Sequence, residues 1–225
     1  MRVFHRTYQL TEAMTHNLET LSNYFIDAFP KMDHAEQILA RTIYQQLALG
    51  DPLSLKYLSE TLDQTVGTIK EKLIKWGSVY FSETGDIIGF LGITISEMPH
   101  CMQMNGKTSY AWCAWDTLFI PELVDANAQV TSICATTNKT IILTVTPQGI
   151  FPAQSNIFIS FLLPDEEAIQ ENVTTSFCHF VHFFSSKTAG VNWTNQNKGT
   201  FLLTFEEAFI VGKNVNAIRY SAVLS

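Results

Sequence analysis

Residues 110–118, with the sequence YAWCAWDTL, hold the densest group of potentially reactive side chains in the chain. If this segment is helical, Cys113 and Asp116 share one face because they are three residues apart. A neighbouring carboxylate raises a thiol pKa and makes the thiol a poorer nucleophile. The pair therefore fits a proton shuttle beside a metal-bound thiolate better than a protease-type nucleophile. A buried cysteine next to a capping aspartate fits the same spacing, and spacing alone favours it.

Residues 176–184, with the sequence SFCHFVHFF, form the second cluster. On a strand, Cys178, Phe180 and His182 would share one face, and His179 and Val181 would share the other. One interpretation is a second thiolate with an imidazole near it. For the two histidines we favour the other interpretation, internally hydrogen-bonded residues of a buried aromatic strand, because neither has a motif partner.

The other two cysteines carry weaker signals. Cys134 lies in an apolar stretch that predicts a core strand, so packing is its expected role, and nothing in the sequence requires Cys101 to be reactive. Structural zinc sites generally contain close ligand pairs, and no Cys-x-x-Cys is present. A Cys/His peptidase signature, a glycine-rich phosphate loop and a dinucleotide fingerprint are also missing.

Length and composition limit the classes of protein. The 225 residues predict one large domain or two small ones, and 46% hydrophobic residues allow a well-buried core. A net charge of −7 argues against a nucleic-acid surface over the whole molecule. No apolar run is long enough to span a membrane, and a polar segment follows Arg2 and Arg6 where a signal peptide needs an apolar one. We therefore expect a cytoplasmic protein with free thiols.

The first 92 residues predict helices followed by a hairpin. Apolar spacing indicates a helix over residues 11–28 closed by Pro30, and a second over 34–49 with Ile38, Ile43 and Leu47 facing inward. A short helix capped by Ser54, a helix over 65–76, and strands over 78–81 and 86–91 follow. Three helices and a hairpin in this order are typical of a winged helix-turn-helix.

A winged helix can bind DNA or can serve as a scaffold for a catalytic domain. Residues 54–76 carry four lysines and three acidic residues, with no arginine. Base reading usually relies on Arg, Asn or Gln at the recognition helix, so we favour the scaffold.

From residue 93 onward the pattern is mainly β. A hairpin is predicted from residues 100–104 and 108–111 across the Asn105-Gly106 turn, followed by a short helix over 112–120 that Pro121 ends. Strands are predicted over 129–135, 140–146, 156–162 and 174–184, and a last helix over 204–220 begins with a Thr204/Glu207 capping box. The predicted class is α+β: an N-terminal extension (1–32), a winged-helix-like scaffold domain (33–92), and a mainly antiparallel β domain with flanking helices (93–225).

At residues 110–118 the sequence closely resembles the organomercurial lyases (alkylmercury lyases) of bacterial mercury-resistance systems. The resemblance continues through VTSICA (130–135), LTVTP (143–147), FLLP (161–164), SFCH (176–179), VHFF (181–184) and EEAF (206–209). It spans about residues 54–215. Trp-Cys-x-x-Asp-Thr followed by Ser-Phe-Cys is a specific combination of blocks.

The resemblance implies that residues 93–225 are the catalytic domain, with two cysteines and an aspartate in the site. It implies that Cys113 is the first nucleophile and mercury ligand, Cys178 the second ligand, and Asp116 the proton donor that turns R–Hg⁺ into R–H and Hg²⁺. Cys134 matches a family cysteine that is considered structural. Mercury is a soft cation, so two thiolates suit it chemically.

An apolar pocket around Trp112, Trp115 and Phe177 would hold the organic group and exclude water. The resemblance implies no permanent cofactor; external thiols release the metal, and a mercuric reductase can accept it. The sequence departs from familiar members at Trp115, where they have a smaller aliphatic residue, at His179, and in its N-terminal extension. The alternative function is a non-catalytic metal-sensing or DNA-binding winged-helix protein.

Overall fold

The first described helix follows a polar cap. The computed structural model describes residues 17–152, 156–163 and 166–224. Helix α1 (Leu18–Ala28) begins after Asn17, whose side chain accepts hydrogen bonds from the backbone N–H groups of Glu19 and Thr20. The C-terminal part of the helix predicted over 11–28 is thus present, and residues 11–16 of that prediction lie outside the described residues.

Three further helices follow, each beginning after a capping side chain: α2 (His34–Leu47), α3 (Leu55–Leu62) and α4 (Val66–Trp76). Asp33 caps α2 in a capping box with Glu36, and Ser54 caps α3 as predicted. The second helix ends two residues before the predicted position. The inward placement of Ile38 was wrong, since 39% of this side chain is exposed.

The main sheet contains eight antiparallel strands in the order β1-β2-β3-β5-β4-β6-β7-β8. Their bounds are β1 Val79–Phe81, β2 Ile87–Phe90, β3 Ile93–Thr94, β4 His100–Met104, β5 Lys107–Ala111, β6 Ala128–Ile133, β7 Thr140–Thr146 and β8 Gly149–Pro152. The predicted hairpin across Asn105 and Gly106 is confirmed as β4–β5. Gly89 of β2 pairs with Thr94 of β3, so the sheet is continuous across residue 92. The domain boundary placed there stays a prediction.

A second, three-stranded antiparallel sheet has the order β10-β9-β11. Its strands are β9 Phe158–Leu162, β10 Phe183–Phe184 and β11 Thr200–Thr204. The remaining helices are α5 Asp116–Val124, α6 Glu166–Ser176, α7 Lys187–Gln196 and α8 Phe205–Arg219. The Thr204/Glu207 capping box at the start of α8 is confirmed. The α+β class is confirmed as well, and among the described residues no helix is long and apolar enough to cross a bilayer.

The helix predicted over 112–120 was wrong in position, because residues 112–115 precede it and Pro121 lies inside it. Proline removes only one N–H group from the helix. Leu118, Ile120 and Leu123 are all buried, so core packing holds the turns on both sides of the proline.

The strand predicted over 174–184 was also wrong. This stretch contains the end of α6, a 3₁₀ turn at Cys178–Phe180, and the two residues of β10. Asn172 leaves helical geometry, and its side chain accepts the N–H groups of Thr174 and Thr175. This local cap starts a new helical turn, and it outweighs the β propensity of the aromatic residues that follow.

Candidate active site

Cys113, Asp116 and Cys178 converge at one buried point. Their two sulfur atoms and a carboxylate oxygen all lie within 4.8 Å of one another. Cys113 follows β5, Asp116 is the first residue of α5, and Cys178 begins the 3₁₀ turn. The two chain segments are tied together by a hydrogen bond of 3.2 Å from the N–H of Ala114 to the carbonyl of Val181. The three residues singled out by type and resemblance therefore occupy one place.

Asp116 is linked to Cys113 through the backbone. Its Oδ2 accepts the N–H of Cys113 at 2.8 Å. The two residues do not share a face of one helix, as their spacing led us to expect, because Cys113 lies before the helix begins. Instead the carboxyl group reaches back over the preceding turn. This places it beside the thiol and holds its orientation.

Burial raises the pKa of Asp116 to about 7, against the lowering effect of hydrogen bonds from the side chain and backbone of Cys113. A carboxyl group with this pKa exchanges protons readily at neutral pH. It can take a proton from a thiol and pass it on, which is the property required of a proton shuttle.

The two thiols differ in their environments. Burial raises the pKa of Cys113 well above its usual value, and the neighbouring Cys178 and Asp116 raise it further. For Cys178, the neighbouring Cys113 side chain lowers the pKa, although burial and Asp116 leave it raised overall. Every neighbour of Cys113 therefore raises its pKa, whereas opposing effects act on the pKa of Cys178.

Gly92 is a site residue that sequence analysis missed. It has a φ of +104°, and a Cβ built on it would lie 2.3 Å from Asp116 Oδ1. Its carbonyl also accepts the N–H of Trp112 at 2.8 Å. The available signal was a glycine in a strand-like pattern, which can mark a close approach of the backbone to another group.

A narrow cavity of about 40 Å³ adjoins the cluster. Asp116 and Cys178 lie on its wall together with the three predicted pocket residues, Trp112, Trp115 and Phe177. The rest of the wall is largely apolar. The predicted surroundings of the site are thus observed as a cavity wall, and they provide a dry environment next to the carboxyl group.

Trp115 is held firmly on this wall. Its Nε1 donates to the carbonyl of Ala208 at 3.0 Å. Its ring packs against Phe25 and Phe161, with centroids 4.7 and 5.5 Å away, and against Phe177 at 6.0 Å. The large side chain at this position is therefore accommodated by an aromatic cluster that includes α1.

A wider cleft of about 470 Å³ also reaches Cys178. Cys178 and Trp112 line both cavities, whereas Asp116 lines only the narrow one and Cys113 lines neither. His179 and His182 lie on the cleft wall. The expectation that both histidines are buried was wrong for His179, which is exposed because it lies on a 3₁₀ turn at the surface.

Cys134 borders the cleft but is fully buried, consistent with the packing role expected for it. Its Sγ accepts the N–H of Ser185 at 3.4 Å. Burial raises the pKa of this thiol, but hydrogen bonds from Thr137, Ser185 and Thr136 outweigh that effect and lower it to about 6. Cys101 is half-buried on β4 and carries a free thiol.

Comparison with known proteins gives the family of the chain. A family model described as "MerB: Alkylmercury lyase" matches residues 93–216. An alkylmercury lyase of Staphylococcus epidermidis is 36% identical over 183 residues, covering 81% of this chain and 82% of the relative. One from Pseudomonas putida is 36% identical over 186 residues, covering 80% and 84%. The chain belongs to the alkylmercury lyase family.

A solved structure described as the mercury-bound form of MerB2 has the same fold as this alkylmercury lyase family member. The TM-score is 0.73 at 21% identity, over 93% of this chain and 100% of the other. The resemblance drawn from residues 110–118 and 176–184 is confirmed by the family match. Neither comparison supports the alternative of a metal-sensing or DNA-binding protein.

Proposed function

We propose that this alkylmercury lyase family member cleaves the carbon–mercury bond of R–Hg⁺ by protonolysis, giving R–H and Hg²⁺ held by Cys113 and Cys178. One observation carries the assignment of residues: two sulfurs and a carboxyl oxygen within 4.8 Å of one another at a buried point. Soft cations prefer thiolates to oxygen ligands. The mercury-bound state of a protein with the same fold supports mercury as the metal.

Cys178 is the sulfur that the substrate meets first. It lies on the walls of both cavities, whereas Cys113 lies behind it on neither. The Cys113 side chain also lowers the pKa of Cys178, whereas all the neighbours of Cys113 raise the pKa of Cys113. The geometry therefore favours an order opposite to the one expected from the sequence, with Cys178 as first ligand and Cys113 as second.

Asp116 then moves the proton. As Cys113 binds the metal, its S–H proton passes to the Asp116 carboxylate and from there to the carbon of R–Hg. The carbon–mercury bond breaks with its electron pair on carbon, a C–H bond forms, and a second S–Hg bond replaces the one lost. The narrow cavity holds the organic group against Trp112 and Phe177 and keeps water away from the carbon.

The reaction is tested by single-turnover release of benzene from phenylmercury in the presence of excess thiol. One benzene per protein is expected. In Asp116→Ala, phenylmercury should still bind, while benzene release falls about 10²- to 10⁴-fold, the usual contribution of a general acid. If the wild-type protein binds phenylmercury without ever releasing benzene, the proposed reaction is wrong; unchanged turnover in the variant removes the role of Asp116.

The order of the two thiols is tested by native mass spectrometry after one equivalent of phenylmercury. Both variants are made in a Cys101→Ser/Cys134→Ser background, because half-buried Cys101 and Cys134 on the cleft wall could also bind phenylmercury. In that background Cys113→Ser should keep a 1:1 adduct that does not react further, and Cys178→Ser should lose the adduct. The background protein itself is the matched control, because both of its substituted thiols lie outside the cluster. Capture by Cys178→Ser together with loss of capture in Cys113→Ser would restore the order expected from the sequence.

The supporting factors are proposed from the same chemistry. No resident metal or organic cofactor is needed, because the two thiols and the carboxyl group supply both ligands and proton. A protein dialysed against a chelator should release one benzene per site, as untreated protein does. We also propose that external thiols remove the product metal, that a mercuric reductase accepts it, and that a reducing cytoplasm keeps the four cysteines free.

A further inference from the structure

Cys178 lies between two spaces of different size and character. The narrow cavity, about 40 Å³, has the Asp116 carboxyl group on its wall. The cleft, about 470 Å³, reaches the same cysteine, and none of the described residues that line it is acidic. A mercury ion bound to Cys178 could therefore be reached from the narrow cavity or from the cleft, and the two spaces differ in the size of molecule that can enter.

Removal of mercury from two thiolates requires a third sulfur. A ligand-exchange step of this kind passes through a state in which the incoming and leaving sulfurs both contact the metal, as in thiol–disulfide exchange. The narrow cavity is too small for a thiol such as glutathione.

We infer that the cleft bordered by Cys178, His182 and Ala135 is the entry site for the small thiol that removes Hg²⁺ after the carbon–mercury bond is cleaved. This inference rests on the proposed function. The two spaces beside Cys178 then have different functions. The narrow cavity binds the organic group, and the metal leaves through the cleft. Cys178, the member of the pair that lines the cleft, is the first sulfur to be displaced.

The step balances without any oxidant or reductant. The incoming thiol R′–SH forms an R′S–Hg bond, the bond from mercury to Cys178 breaks, and the thiol proton ends on the Cys178 sulfur. A second thiol displaces Cys113 in the same way and gives R′S–Hg–SR′. Burial lowers the pKa of His182 and lowers that of His100 to about 3, so these two imidazoles of the cleft wall are neutral at pH 7.

The test narrows the cleft and measures only the release of metal. Ala135 and Thr175 are exposed residues of the cleft wall, so Ala135→Trp and Thr175→Trp each place a large side chain in it. Gln103→Trp is the control, because Gln103 is exposed on β4 and lines neither cavity. Each protein is loaded with one equivalent of HgCl₂, glutathione is added, and transfer of mercury is followed by stopped flow. Loading with the inorganic ion bypasses carbon–mercury cleavage.

Both cleft variants should transfer mercury to glutathione about tenfold more slowly than wild type, a barrier change of about 1.4 kcal/mol. Mercaptoethanol, which is smaller, should be affected less, and Gln103→Trp should match wild type. Single-turnover benzene release should be unchanged in all three, which separates this inference from the proposed function. Wild-type rates of transfer to glutathione in both Ala135→Trp and Thr175→Trp, with folding checked by circular dichroism, would overturn it.

Discussion

Gly92→Ala tests whether the backbone beside Asp116 determines the position of the proton donor. A Cβ at residue 92 would lie 2.3 Å from Asp116 Oδ1 and 2.6 Å from its Cγ, whereas Cβ atoms in proteins essentially never approach another heavy atom within 3.0 Å. The carboxyl group must therefore move by roughly 0.7 Å or more, or the turn that carries Gly92 must shift. Either change alters the contact between Asp116 and Cys113.

Two separate effects are expected. The φ of +104° is rarely adopted by residues with a side chain, and holding alanine there costs about 1–3 kcal/mol of folding free energy. A misplacement of about 1 Å at a reacting group can lower a rate on the order of 10²-fold. Gly92→Ala should therefore lose about 1–3 kcal/mol of stability and about 10²-fold in benzene release, while both thiols still bind mercury.

Gly85→Ala is the matched control. Gly85 has a φ of +84°, and a Cβ there meets no atom within 4 Å. This variant should show a similar loss of stability in urea unfolding with no loss of single-turnover activity. Benzene release from phenylmercury in Gly92→Ala that stays within about threefold of Gly85→Ala would refute the claim that residue 92 positions the carboxyl group.

Three further variants test the surroundings of the site by urea unfolding. The pKa of Asp116 is about 7 in the folded protein, against a usual value of 3.8. The folded protein is therefore fully stable below pH 4 and loses roughly 4 kcal/mol of stability as the pH rises from 4 through 7, because the unfolded chain releases the proton first. Asp116→Asn should therefore equal wild type near pH 4 and exceed it at pH 8; equal stabilities at pH 8 would contradict the raised pKa. Trp115→Phe removes the hydrogen bond to the Ala208 carbonyl and should cost about 1–3 kcal/mol, with mercury still bound 1:1; no loss would mean that this bond contributes nothing. Tyr44→Phe removes the hydroxyl that donates to the Leu91 carbonyl at 2.7 Å, next to Gly92. It should cost a similar amount of stability and should also slow benzene release. A loss of stability with full activity would show that Tyr44 does not act on the site through Gly92.

Local signals predicted local structure well. The capping side chains of Ser54 and Thr204 mark the observed starts of α3 and α8, and the Asn105-Gly106 pair marks the observed β4–β5 hairpin. Each signal works because the cap or turn is formed by residues within four positions of one another. The two main errors, at residues 112–120 and 174–184, occurred where packing around the site decides the backbone.

The site itself could be predicted only in part. Spacing linked Cys113 to Asp116, although through the wrong geometry, and nothing local linked either residue to Cys178. That link depends on the Ala114–Val181 hydrogen bond, which joins segments more than 60 residues apart. Gly92 lies 24 positions before Asp116, and its contact with the carboxyl group is likewise a product of the tertiary fold. Only the resemblance to the family linked Cys178 to the site, because a contact between distant segments leaves no pattern within a single sequence.

Burial of Asp116 lowers the stability of the folded protein, and the same burial gives the carboxyl group the pKa that proton transfer requires. At pH 8 a buried carboxylate is less stable in the folded protein than in water, and one backbone N–H from Cys113 does not restore its hydration. An asparagine of the same shape could accept that N–H without the cost of burying a charge, but it could not receive and return a proton. The site therefore combines a poorly solvated carboxylate with two thiols. Gly92 leaves room for this carboxylate because it has no Cβ. Asp116 lowers stability at pH 8 and is tightly enclosed, so its presence at this position is better explained by a role in proton transfer than by a role in folding.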